Sequence, residues 1–283
     1  MNRAEVRVYG GEKCAGRFLY WGYLLRFDEL SRIGYGYKLL NKRDETKIMY
    51  YLYGLKSALS ELLNRVDAEG GKKQYLVKYF CVDDRVFKIL HGWSHELKDP
   101  MVVKVVNSIK HLVSDIGQLK LVKCRDGSIE AGLKSIAKQQ VYHRIEEILD
   151  QSHSWEFSNK LRYIAICIPE GDQNIPLELI ARYIWRKSSR GGEIGGIVVF
   201  RRLYPGVTVL LYDVKGKNYF SFNLKSLDRL CRDKLVRRLK TFHFKSLSLN
   251  IVEDILMKAS EECFENKNQT LYGGGISNGS GST

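Results

Sequence analysis

The chain has 283 residues, of which 44% are hydrophobic, enough for two domains with cores of ordinary size. Forty-six lysines and arginines against 32 aspartates and glutamates leave a net charge of +14, which points to a polyanionic partner without separating DNA from RNA or from an acidic protein. No run of eighteen apolar residues occurs, which argues against a membrane-spanning helix, and the six cysteines form no C-x-x-C pair, which argues against a zinc site or a disulfide framework and for buried free thiols.

The opening MNRAEVRVYGG leads straight into a strand without a secretory signal, so the expectation is an intracellular protein, cytoplasmic and nucleoid-associated. Residues 5–9 alternate as a strand that Gly10-Gly11 is expected to break. Residues 18–27 and 35–40 read as two more strands, and residues 44–65 as a helix with Ile48, Leu52, Leu55, Leu59 and Leu62 in one apolar stripe. A fourth strand follows Gly70-Gly71 and turns at Asp83-Asp84, which reads as the N-cap of a short helix carrying Val86, Phe87, Ile89 and Leu90. Gly92 ends that helix and Lys98-Asp99-Pro100 starts the next, over residues 101–113. Residues 118–123 form a fifth strand, and residues 128–149 a long helix with Ser128 as its N-cap.

Residues 150–160 are polar and read as a linker. Beyond them come a buried strand at 161–168, a helix at 175–185, and three antiparallel strands at 195–203, 207–214 and 218–223. A basic helix over 224–239 carries Arg229, Arg232, Arg237 and Arg238, with Lys240 just beyond and the aromatics Phe242 and Phe244 close by. Cations of this kind hold a phosphate backbone and aromatic rings stack on bases, although a solvated helix face has the same composition. A last helix at 251–264 leads into a glycine-rich tail holding Gly273, Gly274 and Gly275. His91 and His95 are four apart, but Gly92 breaks the helix that would align them, so they read as a surface pair rather than a metal site.

Three strands, helix, strand, helices, strand, helix is the order of a ribonuclease H domain, and residues 42–59, 75–100 and 119–139 resemble its first helix, its middle and its last strand and helix. The resemblance implies an α/β fold for residues 1–150, a mixed sheet with flanking helices, and in an active member four carboxylates around two metal ions. Carried over position by position, the first-strand Asp-Gly falls on Gly10-Gly11 and the helix Glu on Lys47, with Asp44 and Glu45 within a turn. The fourth-strand Asp falls near Val82, with Asp83 and Asp84 next, and the last-helix Asp on Lys134. Lysines in place of metal ligands imply a non-catalytic domain with no cofactor.

Residues 160–283 resemble a second α/β domain, the DHH-associated domain of the RecJ family. There a helix leads to Gly-Gly-Gly-His, and here Ile276 stands where the histidine does. Glycines there let backbone N–H groups approach a phosphate. Together the resemblances imply a RecJ-like scaffold akin to the archaeal Cdc subunit of the CMG helicase, bridging GINS and MCM and contacting single-stranded DNA. Two alternatives stay open: a divergent metal-dependent ribonuclease H using Asp83, Asp84, Glu45 and Asp126 on RNA–DNA hybrids, and a free-standing nucleic-acid-binding protein.

Overall fold

The structure, a computed structural model, describes residues 2–40, 48–68, 70, 74–93, 98–124, 128–158, 161–168, 173–188, 193–203, 206–214 and 218–224, with positions 233, 237, 253–255 and 257–259. The chain divides into two compact units, the first mainly residues 1–144 and the second mainly the remainder.

The first unit is built on β1 (Asn2–Lys13), β2 (Phe18–Phe27), β3 (Leu30–Leu39), β4 (Tyr75–Cys81) and β5 (Gly117–Lys123). Their order is β3-β2-β1-β4-β5. The first three strands form an antiparallel meander, and β4 and β5 run parallel to β1. This strand order, with helices in the β3–β4 and β4–β5 connections and a helix after β5, is the ribonuclease H-like fold expected above, and it occupies about half the chain.

Three helices lie in the connections: α1 (Met49–Ala68), α2 (Asp84–Leu90) and α3 (Pro100–Ile116). The predicted stripe is inside, with Ile48, Leu52, Leu55, Leu59 and Leu62 all buried in one core with Ala4, Val6 and Val8 of β1. Gly54 lets α1 close on β1, because a Cβ there would stand 2.2 Å from Val8 Cγ1. The fourth helix, α4 (Ser128–Asp150), lies on the opposite face, where a Cβ at Gly22 would meet the Leu133 carbonyl oxygen at 2.5 Å.

Two local readings change in this unit. Strand β1 does not break at Gly10-Gly11: the ladder continues through them, Gly10 opposite Trp21 and Gly11 opposite Tyr20. The missing side chains make room for neighbours, since a Cβ would lie 2.9 Å from a Tyr50 ring carbon at Gly10 and 2.6 Å from the Tyr20 hydroxyl at Gly11. Strand β3 also begins five residues earlier than predicted, at Leu30, because its first half alternates poorly yet pairs fully with β2.

The second unit holds β6 (His153–Ser158), β7 (Arg162–Ile168), β8 (Ile194–Leu203), β9 (Gly206–Asp213) and β10 (Asn218–Leu224). They form a second sheet in the order β10-β9-β8-β7-β6. Only β7 and β8 are parallel, joined through α5 (Leu177–Ser188); the other pairs are antiparallel. Residues 150–160, read as a linker, carry the edge strand β6. The core is Tyr163 to Ile168, Ile197 to Phe200 and Leu179, Ile180 and Ile184 of α5, with Ile255 and Ala259 buried beside solvent-facing Glu253 and Met257. Cys14, Cys81 and Cys124 are free thiols, but Cys167 is disulfide-bonded, its partner lying outside the described residues. That corrects the reading of free thiols throughout: distance along the sequence does not keep cysteines apart once the chain folds back.

Candidate nucleic-acid interface

Because β1, β4 and β5 are parallel, their C-terminal ends open on one side of the first sheet. A cleft of about 650 Å³ lies there, lined by Tyr9 and Tyr51, by the run from Cys81 to Arg85, and by Lys123 and Cys124. Its floor is tied together by the Cys124 N–H donating to the Cys81 carbonyl at 3.0 Å.

The side chain that β1 presents to this cleft is Tyr9. Ala4, Val6 and Val8 point into the α1 core, so the alternation sends Glu5, Arg7 and Tyr9 to the other face. The Tyr9 ring meets Tyr51 edge-on at 5.7 Å and Tyr50 at 6.4 Å, while the Lys134 ammonium of α4 stands 5.7 Å from its centroid. Sequence reasoning did not single out Tyr9 as a residue of this cleft; the alternation of β1 is the signal that locates it. Burial holds the Tyr50 and Tyr51 phenols above their ordinary range, as it does for Tyr20. The Tyr79 hydroxyl beneath is fully enclosed without a well-formed hydrogen bond, Cys81 being its polar neighbour, and burial again raises its pKa.

Asp83 and Asp84 have different roles. Asp83 caps α2: one carboxylate oxygen accepts from the backbone N–H of Arg85 at 2.8 Å and of Val86 at 3.4 Å, and the other meets the Arg85 guanidinium at 3.3 Å. Asp84 is exposed and pairs with Lys123 at 2.9 Å; that hydrogen bond holds its carboxyl below the usual value. The Cys81 thiol donates to the Asp83 carbonyl at 3.1 Å and burial pushes it up to about 11, leaving it un-ionised at neutral pH.

The described residues do not fit a two-metal centre. Where the resemblance puts its carboxylates the sequence has Gly10-Gly11, an aliphatic side chain at Val82 and an ammonium at Lys134, and an ammonium repels a divalent cation. Among the described residues no three His, Cys, Asp or Glu side chains converge on one point. Asp44, Glu45, Lys47 and Asp126 lie outside the described residues.

A row of rings runs beside the cleft. Phe87 of α2 lies 4.3 Å from His91, and His91 lies 4.6 Å from Trp93, with interplanar angles of 34° and 31°. The row starts under the Lys123 ammonium, 5.1 Å from the Phe87 centroid, and ends in Trp93, which is 71% exposed. His91 is thus a member of this stack, its Nδ1 2.9 Å from the Phe87 carbonyl oxygen. A smaller apolar cleft of about 290 Å³ adjoins it between α3 and β5, lined by His91, Leu90, Ile109 and Leu121 among others.

Of the predicted binding residues in the second half, Arg237 is helical and exposed. Arg229, Arg232, Arg238, Lys240, Gly273, Gly274 and Gly275 lie outside the described residues.

No protein-family profile matches the chain, and no curated protein does. Solved structures similar to its N-terminal half include the N-terminal ribonuclease H domain of a Mycobacterium tuberculosis protein, at 14% identity and a TM-score of 0.37, covering 51% of this chain and 99% of that one. The ribonuclease H1 LC11 in complex with an RNA/DNA hybrid is similar at 16% identity and a TM-score of 0.39, covering 49% and 99%. Ribonuclease H1 of Halobacterium salinarum is similar at 12% and 0.36, covering 49% and 98%.

Proposed function

We propose that the N-terminal unit binds nucleic acid without hydrolysing it. The observation that carries this reading is the row Phe87, His91 and Trp93, ending in an exposed indole and flanked by Lys123. Bases stack on such rings whatever their sequence, and cations alongside hold the phosphates. Lys134, over the Tyr9 ring, supports the non-hydrolytic half of the proposal, because the resemblance puts the last-helix carboxylate at that position.

The test is binding of a labelled single-stranded oligonucleotide to the full chain. Trp93→Ala is expected to cost about 1–3 kcal/mol of binding free energy while leaving the fold unchanged, and affinity is expected to fall steeply with added salt. In parallel the purified chain is incubated with an RNA–DNA hybrid and Mg²⁺ or Mn²⁺. Cleavage that disappears in Asp83→Asn or Glu45→Gln would overturn the non-hydrolytic reading and establish the nuclease.

The finer form of the proposal comes from the resemblance of the second half to the DHH-associated domain: a RecJ-like scaffold subunit bridging GINS and MCM on single-stranded DNA. The distinctive glycine motif of that resemblance lies outside the described residues. Co-purification of GINS or MCM subunits from a native extract supports this form; a stable complex with neither, alongside intact oligonucleotide binding, leaves a free-standing binding protein.

A further inference from the structure

Of the six large hydrophobic side chains that stand exposed among the described residues, three belong to one edge strand: Leu30, Ile33 and Tyr35 of β3. Natural sheets protect their edges by keeping them short, by placing lysines on them, or by proline and bulges. The edges β5, β6 and β10 follow this rule with seven, six and seven residues, and β5 carries Lys120 and Lys123 besides. Strand β3 does not. It is ten residues long, has no proline, and pairs with β2 from Leu30 to Leu39 without a bulge. Its Lys38 is not left to guard the edge, because its ammonium donates to the Tyr53 hydroxyl at 3.0 Å and lies over that ring.

The strand is also held rigid from below. A Cβ at Gly34 would lie 2.1 Å from a Tyr23 ring carbon and one at Gly36 2.6 Å from a Trp21 ring carbon, so both glycines rest on rings. Those rings are anchored to α1, Tyr23 donating to Glu61 at 2.6 Å and Trp21 to Ser57 at 3.2 Å. A strand fixed in this way needs no ordering when another strand adds to it, which lowers the entropic cost of docking.

The faces define the partner. Ile33 and Tyr35 share one face with Leu24 of β2; Arg32 and Lys38 share the other, and exposed Arg26 adds a cation on the apolar side. Asp28 and Glu29 are confined to the turn before the strand. A second copy of the chain fits poorly. Each copy brings +14 charges, and in the antiparallel register centred on Tyr35, which seats Ile33 against Tyr37, Arg32 falls opposite Lys38.

We infer that the outer edge of β3 is a docking site for an extended acidic segment of a partner protein. The segment adds as a sixth strand, with apolar side chains over Ile33 and Tyr35 and carboxylates facing Arg32. This does not rest on the nucleic-acid reading: β3 carries none of the ring row, and loss of oligonucleotide binding in Trp93→Ala leaves it untouched.

The experiment uses the full chain and a fluorescein-labelled ten-residue peptide alternating glutamate with valine, and a lysine–valine peptide as counter-probe, read by anisotropy. The acidic peptide is expected to bind saturably and at least about tenfold more tightly than the basic one. The double variant Ile33→Ser, Tyr35→Ser is expected to lose about tenfold at an unchanged Tm, and Arg32→Glu to shift the preference toward the basic peptide. Amide exchange on the wild-type chain is expected to slow at residues 30–39 on binding; this and Arg32→Glu decide the matter should the double variant fail to fold. The proposal is overturned by equal affinity for both peptides, by no saturable binding, by protection confined to other segments, or by a dimer in sedimentation that the double variant abolishes.

Discussion

Asp83 spends its carboxylate on the backbone. It satisfies two amide donors of the first turn of α2 that would otherwise lack a partner, which accounts for the aspartate at 83 just after β4. The role makes a sharp expectation. Asp83→Ala is expected to cost about 1 kcal/mol of stability, whereas Asp83→Asn, an equally good cap, is expected to cost much less. Denaturant titration of the two variants measures this, and a metal-ligand role would show instead as equal sensitivity of metal-dependent cleavage to both substitutions. The cap was legible from the sequence because a short polar residue before an apolar run is a local signal. Tyr9 was not read, because the resemblance directed attention to its neighbours Gly10-Gly11.

At the scale of the element, α1 and β1 pack against each other in the first unit's core. The stripe of α1 was readable because its period is that of a helix, and the structure adds Met49, Tyr51 and Tyr53 to its buried surface. Tyr53 is inside because it stacks on Trp21 of β2, with centroids 5.4 Å apart and planes at 19°, a contact between segments that no local period announces. Leu59 is fully buried in this core, so Leu59→Ala is expected to destabilise the chain by about 2–5 kcal/mol, read as a fall in the midpoint of chemical unfolding. Strand β6 escaped sequence reading for the converse reason: it is an edge strand whose only alternation is Trp155 and Phe157, set in a polar stretch.

The whole molecule carries many buried phenols, and their charge state ties stability to alkali. Tyr20, Tyr23, Tyr50, Tyr51 and Tyr79 in the first unit have pKa values raised by burial above the ordinary 10.0. A group whose folded pKa is raised binds its proton more tightly when folded. Its contribution is therefore complete below pH 10.0 and declines as pH rises from there through the folded value. Unfolding in alkali is expected to release these phenols together, so phenolate absorbance should rise in two steps, the second coinciding with loss of circular dichroism. A single smooth rise with the fold intact would count against their burial. At this scale the strand order of the first half was legible, since each element announced itself locally and in sequence. The basic helix and glycine tail of the second half were legible as composition only, because a cationic surface and a solvated one have the same residues.

The parallel pairing of β1 with β4 has a consequence for synthesis. Strand β1 is complete by Lys13, yet its second partner is complete only at Cys81. At about 5–20 residues per second, the ribosome takes ~3–14 s to deliver the 68 residues between those points. For the last 42 of those residues, from the end of β3 at Leu39 to Cys81, the nascent chain can hold a three-stranded meander with both edges open, β3 on one side and β1 on the other. Arrival of β4 closes the β1 edge, while the β3 edge stays as available to a partner on the ribosome as it is in the finished protein.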